Sequence, residues 1–102
     1  MPTAFITCPR DQADDVANTI VKEELAACVN AVDCRSTYWW EDEVQMDEEV
    51  ILLCKTTDAG FDALAERVDD IHPYEVPCIE RFDEEWVASP FADWIAESVN
   101  SP

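Results

Sequence analysis

The sequence predicts an α+β domain of the split βαβ, or ferredoxin-like, plan: βαββαβ with an added C-terminal helix, the antiparallel sheet in order 4-1-3-2 and two helices on one face. Three observations predict it. Apolar residues recur at helical spacing in two separated segments, 13–25 and 61–68. Two runs rich in strand formers, 28–41 and 49–56, lie between those helices with an acidic stretch joining them. Shorter apolar runs at 3–8 and 76–82 supply one strand before the first helix and one after the second.

In order, Thr3–Cys8 reads as the first strand. Asp11 is expected to cap a helix whose inward residues are Ala13, Val16, Ala17, Ile20, Val21 and Leu25. Residues 28–56 read as a long hairpin with its turn between Asp42 and Asp47. Thr57 or Asp58 is expected to cap the second helix, where Phe61, Leu64, Ala65 and Val68 make one apolar face, and Pro73 ends it. Val76–Phe82 is the fourth strand. Ser89-Pro90 opens the last helix, with Phe91, Trp94 and Ile95 expected to face inward. Residues 1–102 form a single domain, since neither a linker nor a low-complexity tract divides them.

Charge is the unusual quantity. Twenty-four acidic residues stand against six Lys plus Arg, a formal charge of -18. Such a field repels phosphate backbones and anionic bilayers, so neither nucleic acid nor membrane is an expected partner. The acids are spread along the chain, which points to a solvated surface adapted to very high salt, a halophilic composition, in preference to a dense cation sink. Met1-Pro2-Thr3 carries neither the basic region nor the apolar core of an export signal, and a cytoplasmic location is expected. The single glycine, Gly60, excludes a glycine-rich phosphate loop. Five cysteines, none spaced Cys-x-x-Cys, fit neither a disulfide framework nor a zinc knuckle; Cys28, Cys34 and Cys54 read as small apolar packing residues.

Assembly follows from strand 50–54. Val50, Leu52 and Cys54 point one way, Ile51 and Leu53 the other, and two helices can cover only one face. The second apolar face is expected to pack on another subunit, with Tyr38 and Trp39 as interface residues.

Several separated segments carry a resemblance: Lys22-Glu23-Glu24-Leu25-Ala26-Ala27-Cys28-Val29-Asn30, Tyr38-Trp39-Trp40-Glu41, Cys54-Lys55-Thr56, His72-Pro73-Tyr74-Glu75-Val76-Pro77 and Trp94-Ile95. In this order and spacing they resemble the CutA family of divalent-cation tolerance proteins. The resemblance implies a homotrimer of ferredoxin-like subunits, similar in shape to PII signalling proteins, with clefts between subunits. It also implies binding of copper or another divalent metal ion and a role in the response to metal ions, and no enzymatic reaction.

Strand order places the candidate ligands. Cys78, early in the fourth strand, His72 in the loop before it, and Cys8 at the end of the first strand converge on one sheet edge, a possible soft-ligand set for copper or zinc. Glu41 and Glu75 are candidate carboxylate additions. Cys28 lies at the opposite end and can share a metal with Cys8 only across subunits. The alternatives at these positions are packed thiols and a histidine bonded to helix carbonyls. Lys55 either pairs with a carboxylate or, with Trp40 and Tyr74, lines a cleft for an anionic small molecule. Three functions are thus in view: a trimeric metal-ion-binding protein, a PII-like sensor of a small anion, and a small enzyme using a Cys8/His72 pair, for which no sequence signature exists.

Overall fold

The computed structural model describes residues 1–99, and its elements follow the expected order. Strand β1 is Pro2–Pro9, with Ala4, Ile6 and Cys8 fully buried while Phe5 and Thr7 face the other way and are half-buried. Helix α1 is Arg10–Lys22 and buries Ala13, Val16 and Ile20. Its N-cap is Pro9 without a side-chain bond, so Asp11 is not the cap; it lies in the first turn, where an acid faces the positive end of the helix dipole. The helix stops at Lys22, short of Leu25, because Glu24 adopts φ 60 and turns the chain. Leu25 N–H then reaches Ile20 O and Glu24 N–H reaches Val21 O, both at 3.0 Å, a Schellman closure with glutamate where glycine is usual.

Strands β2 (Cys28–Trp40) and β3 (Glu43–Lys55) pair from Cys28↔Lys55 to Trp40↔Glu43. The turn between them is only Glu41 and Asp42, both with positive φ (51 and 63), the backbone signature of a type I′ hairpin turn. The expected turn at 42–47 is therefore corrected. Residues 43–48 are strand because they pair with the aromatic segment opposite, which outweighs the low strand preference of their acids.

Helix α2 (Phe61–Ile71) buries Phe61, Leu64 and Val68. Its N-cap is Gly60, not Thr57 or Asp58; Thr57 Oγ1 instead accepts the Gly60 N–H at 3.0 Å. A Cβ at Gly60 would lie 2.9 Å from Thr57 Oγ1 and from a Val99 methyl, which accounts for the one glycine. His72 ends the helix in extended conformation, as the residue before a proline should. Strand β4 is shorter than expected, Ile79–Asp83, and pairs antiparallel with β1 from Ile6↔Ile79 to Pro2↔Asp83. Helix α3 (Ser89–Ser98) begins at Ser89-Pro90 and buries Ile95; Phe91 and Trp94 are 39% and 44% exposed, a correction to their inward placement.

The four strands lie in order β2-β3-β1-β4, every neighbouring pair antiparallel. One face carries the core: Ala4, Ile6, Val50, Leu52 and Cys54 pack with the apolar faces of α1 and α2. The opposite face carries Phe5, Ile51 and Leu53, half-buried, with Val32 and Phe82 exposed beside them. Phe5 and Phe82 stack there at 5.3 Å between centroids. Pairing of β1 with β3 stops at Pro9↔Glu49, so the outer part of the β2–β3 hairpin projects beyond the rest of the sheet.

Candidate functional site

The site forms where the hairpin leaves the sheet body. Pro73 holds the loop after α2 extended, and two hydrogen bonds fix the residues around it. Tyr74 N–H donates to His72 Nδ1 at 3.1 Å, which leaves the ring proton on Nε2, and Nε2–H donates to Thr7 O at 2.7 Å. The His72 and Tyr74 rings lie 4.9 Å apart. Tyr74 Oη donates to Glu49 Oε2 at 2.7 Å. Burial first, then that bond to Glu49, pushes the Tyr74 hydroxyl well above the usual phenol range. On the hairpin, Ser36, Tyr38 and Trp40 share one face by strand alternation, and the Tyr38 hydroxyl donates to Asp47.

Together these walls enclose a cleft of about 510 Å³. Tyr38, Trp40 and Tyr74 supply aromatic surface, Pro73 and Val76 aliphatic surface, and Glu49 and Glu75 carboxylates. Thr7, Ser36 and Cys78 complete the lining, which contains neither Lys nor Arg. Sequence reasoning brought Cys78 and Glu75 to this edge and assigned Trp40 and Tyr74 to a cleft with Lys55; the structure gathers Trp40, Tyr74, Glu75 and Cys78 here. It also places Tyr38, expected only at an interface, in the cleft. Trp39 points to the other face and is 73% exposed.

The proposed soft-ligand trio is not assembled within one chain. Cys8 follows Ala4 and Ile6 in phase, so its thiol packs on the helix face, pushed up to about 11 by burial and then by the Glu49 charge. Cys78 borders the cleft beside Thr7, its thiol raised by burial and by Glu80. Both ring nitrogens of His72 are already engaged. Among the described residues no group of three or more His, Cys, Asp and Glu is disposed to hold a metal ion. A copper or zinc chelate of Cys8, Cys78 and His72 therefore does not fit within one chain, and with both ring nitrogens engaged His72 has none left for a Cys8/His72 nucleophile pair.

The remaining candidates scatter. Glu41 sits in the hairpin turn outside the lining, and Glu75 lines the cleft without a second close ligand set. Cys28 pairs with Lys55 at the opposite end of the sheet, five rungs from the Cys8 level, about 17 Å along a strand. Cys54 is buried as expected, while Cys28 and Cys34 are half-buried. Lys55 donates to Thr3 Oγ1 at 3.1 Å, and the Thr3 hydroxyl donates to Glu84. It stands six residues along β3 from Glu49, about 20 Å. Within one chain Lys55 thus does not share the cleft with Trp40 and Tyr74, whose lining holds no base.

Sequence reasoning missed Glu49, Thr7, Ser36 and Val76. Alternation carried the signal for the first three: Glu49 is in phase with Ile51 and Leu53, Thr7 with Phe5, and Ser36 with Tyr38 and Trp40.

Comparison with known proteins agrees with this architecture. Residues 3–98 match the family model described as CutA1 divalent ion tolerance protein. The divalent-cation tolerance protein CutA of Thermus thermophilus is 43% identical over 103 aligned residues, covering 92% of this chain and 93% of that one. The crystal structure of CutA1 from Pyrococcus horikoshii superposes with a TM-score of 0.94 at 34% identity, over 99% of this chain and 100% of the other. A PII-like protein CutA from Nostoc gives a TM-score of 0.97 at 27% identity, over the whole of both chains. The chain belongs to the CutA1 divalent ion tolerance family.

Proposed function

We propose that this protein acts as a cytoplasmic homotrimer in the cellular response to divalent metal ions, copper among them, and that any bound ion is held by groups from more than one copy. The uncovered apolar sheet face carries the reading. Phe5, Ile51, Leu53, Val32 and Phe82 lie on the side away from α1 and α2, and a contiguous apolar face of this kind is what subunit contact covers. Val44 and Met46 on the projecting hairpin add exposed apolar surface that a neighbouring copy can bury. Three copies is the number the family resemblance implies. Five free cysteines suit a reducing compartment. Ligands drawn from more than one copy would supply what the described residues of one chain do not group together.

Sedimentation of the reduced protein in molar KCl, followed by titration with Cu(I) and Zn(II), tests both parts. The expected result is a trimer mass at micromolar concentration, with metal bound at fewer than one tight ion per chain. A monomer mass sinks the assembly. A full equivalent bound tightly by each chain of a monomeric variant sinks the shared site.

A further inference from the structure

Glu49 is the one acid buried among the described residues, 4% exposed. Its recorded hydrogen bond comes from the neutral Tyr74 hydroxyl, and no Lys or Arg forms an ion pair with it among the described residues. A carboxylate this deep ordinarily has a counter-charge, because removal from water is otherwise uncompensated. The chain has little to offer. Arg10, Arg67 and Arg81 are engaged by other acids and Lys55 by Thr3 at the far end of the sheet, which leaves Lys22 and Arg35 of the six bases. Glu49 also lines an open cleft whose aromatic surface is the rings of Tyr38, Trp40 and Tyr74.

We propose that this cleft receives an organic monocation, an alkylated ammonium or a guanidinium, with its charge beside Glu49 and its apolar body against Tyr38, Trp40 and Tyr74. Aromatic faces attract large, weakly hydrated cations, and a second acid, Glu75, borders the same space. The cleft volume of about 510 Å³ suits a small organic molecule. A bare divalent ion fits poorly, since it needs several oxygen or sulfur ligands within about 2.6 Å and the lining supplies separated carboxylates and a single thiol. An anion would meet two acids and no base. The net charge of -18 draws cations toward the surface before any contact forms. In the proposed trimer a neighbouring copy would close the cleft further.

The test uses the assembled protein at the lowest KCl that keeps it folded. Choline and butylguanidinium are titrated by calorimetry and by the indole N–H signal of Trp40 in NMR, against 3,3-dimethyl-1-butanol, which has the shape of choline without its charge. Saturable binding of a cation is expected, at least tenfold tighter than the alcohol, with the Trp40 signal shifting. Glu49→Gln keeps the acceptor for Tyr74 and removes the charge; a loss of at least tenfold in cation affinity is expected. Should that variant fail to fold, Trp40→Leu and Glu75→Gln, both at exposed positions, are each expected to weaken binding. Absence of cation binding, equal affinity for the alcohol, tighter binding of acetate, or binding indifferent to these substitutions overturns the proposal. So does tight binding of Zn(II) that displaces choline and depends on Glu49. Cation binding without any metal binding would support it while removing the metal reading, so the two fail separately.

Discussion

Thr7 and Cys8 are neighbours in sequence and belong to different chemistries. Thr7 borders the open cleft and offers its carbonyl to His72; Cys8 is sealed beneath the helices. The alternation Ala4, Ile6, Cys8 carries this in the sequence, whereas nearness of a thiol to a histidine in the chain plan ignores which face a side chain takes. The sequence offered His72 as a metal ligand or as a partner of helix carbonyls; that its nitrogens are engaged by Thr7 and Tyr74 was not legible, because these partners come from β1 and from its own loop. Burial has a measurable consequence for the core thiols. Cys54 is pushed from 9.0 to about 12 by burial first, then by Cys8 and Cys28, and Cys8 to about 11. Raised pKa values mean that the folded state holds protons the unfolded chain releases, so stability is complete below about pH 9 and falls as pH climbs toward 12. Denaturant unfolding between pH 8 and 11 should show this decline. Cys54→Ala should be less stable at neutral pH yet lose less between pH 9 and 11; an unchanged alkaline slope would exclude the thiol as its source.

The hairpin shows how far pattern reading reaches at the level of an element. Its existence and register direction were evident from two β-rich runs, while its turn was misplaced because Glu43, Asp47 and Glu48 look like loop residues. They are tolerated in β3 because this part of the ribbon extends beyond β1, where their side chains stay in water. The helix ends were misplaced for a related reason: the closures use Pro9, Glu24 and Gly60, not the side-chain caps a sequence scan favours. The turn itself is under strain that chemistry can relieve. Glu41 and Asp42 both hold positive φ, a region costly for residues with a Cβ. The double change Glu41→Asn, Asp42→Gly should stabilise the protein by about 1 kcal/mol, read as a higher urea midpoint at unchanged slope. A lower midpoint would show that the two acids contribute more than their backbone costs.

For the whole molecule, charge sets the conditions under which the fold persists. Six cations cannot neutralise 24 acids, and the ion pairs of Arg10, Arg67 and Arg81 lie near the surface, where each contributes little. Self-repulsion should therefore dominate in dilute buffer and fade as KCl shortens the screening length toward about 3 Å at 1 M. The melting temperature should rise steeply with KCl; a flat response would refute a surface adapted to salt. The charge imbalance itself was legible in the composition, whereas the cleft was only half legible, since its deepest acid comes from a strand read as core. The bond from His72 to Thr7 bears on assembly in another way. Strand β4 leaves β1 at Ile6, and a bare carbonyl at the next rung would invite a foreign strand to continue the ladder. The imidazole fills that position, closing this margin of the sheet to strand recruitment.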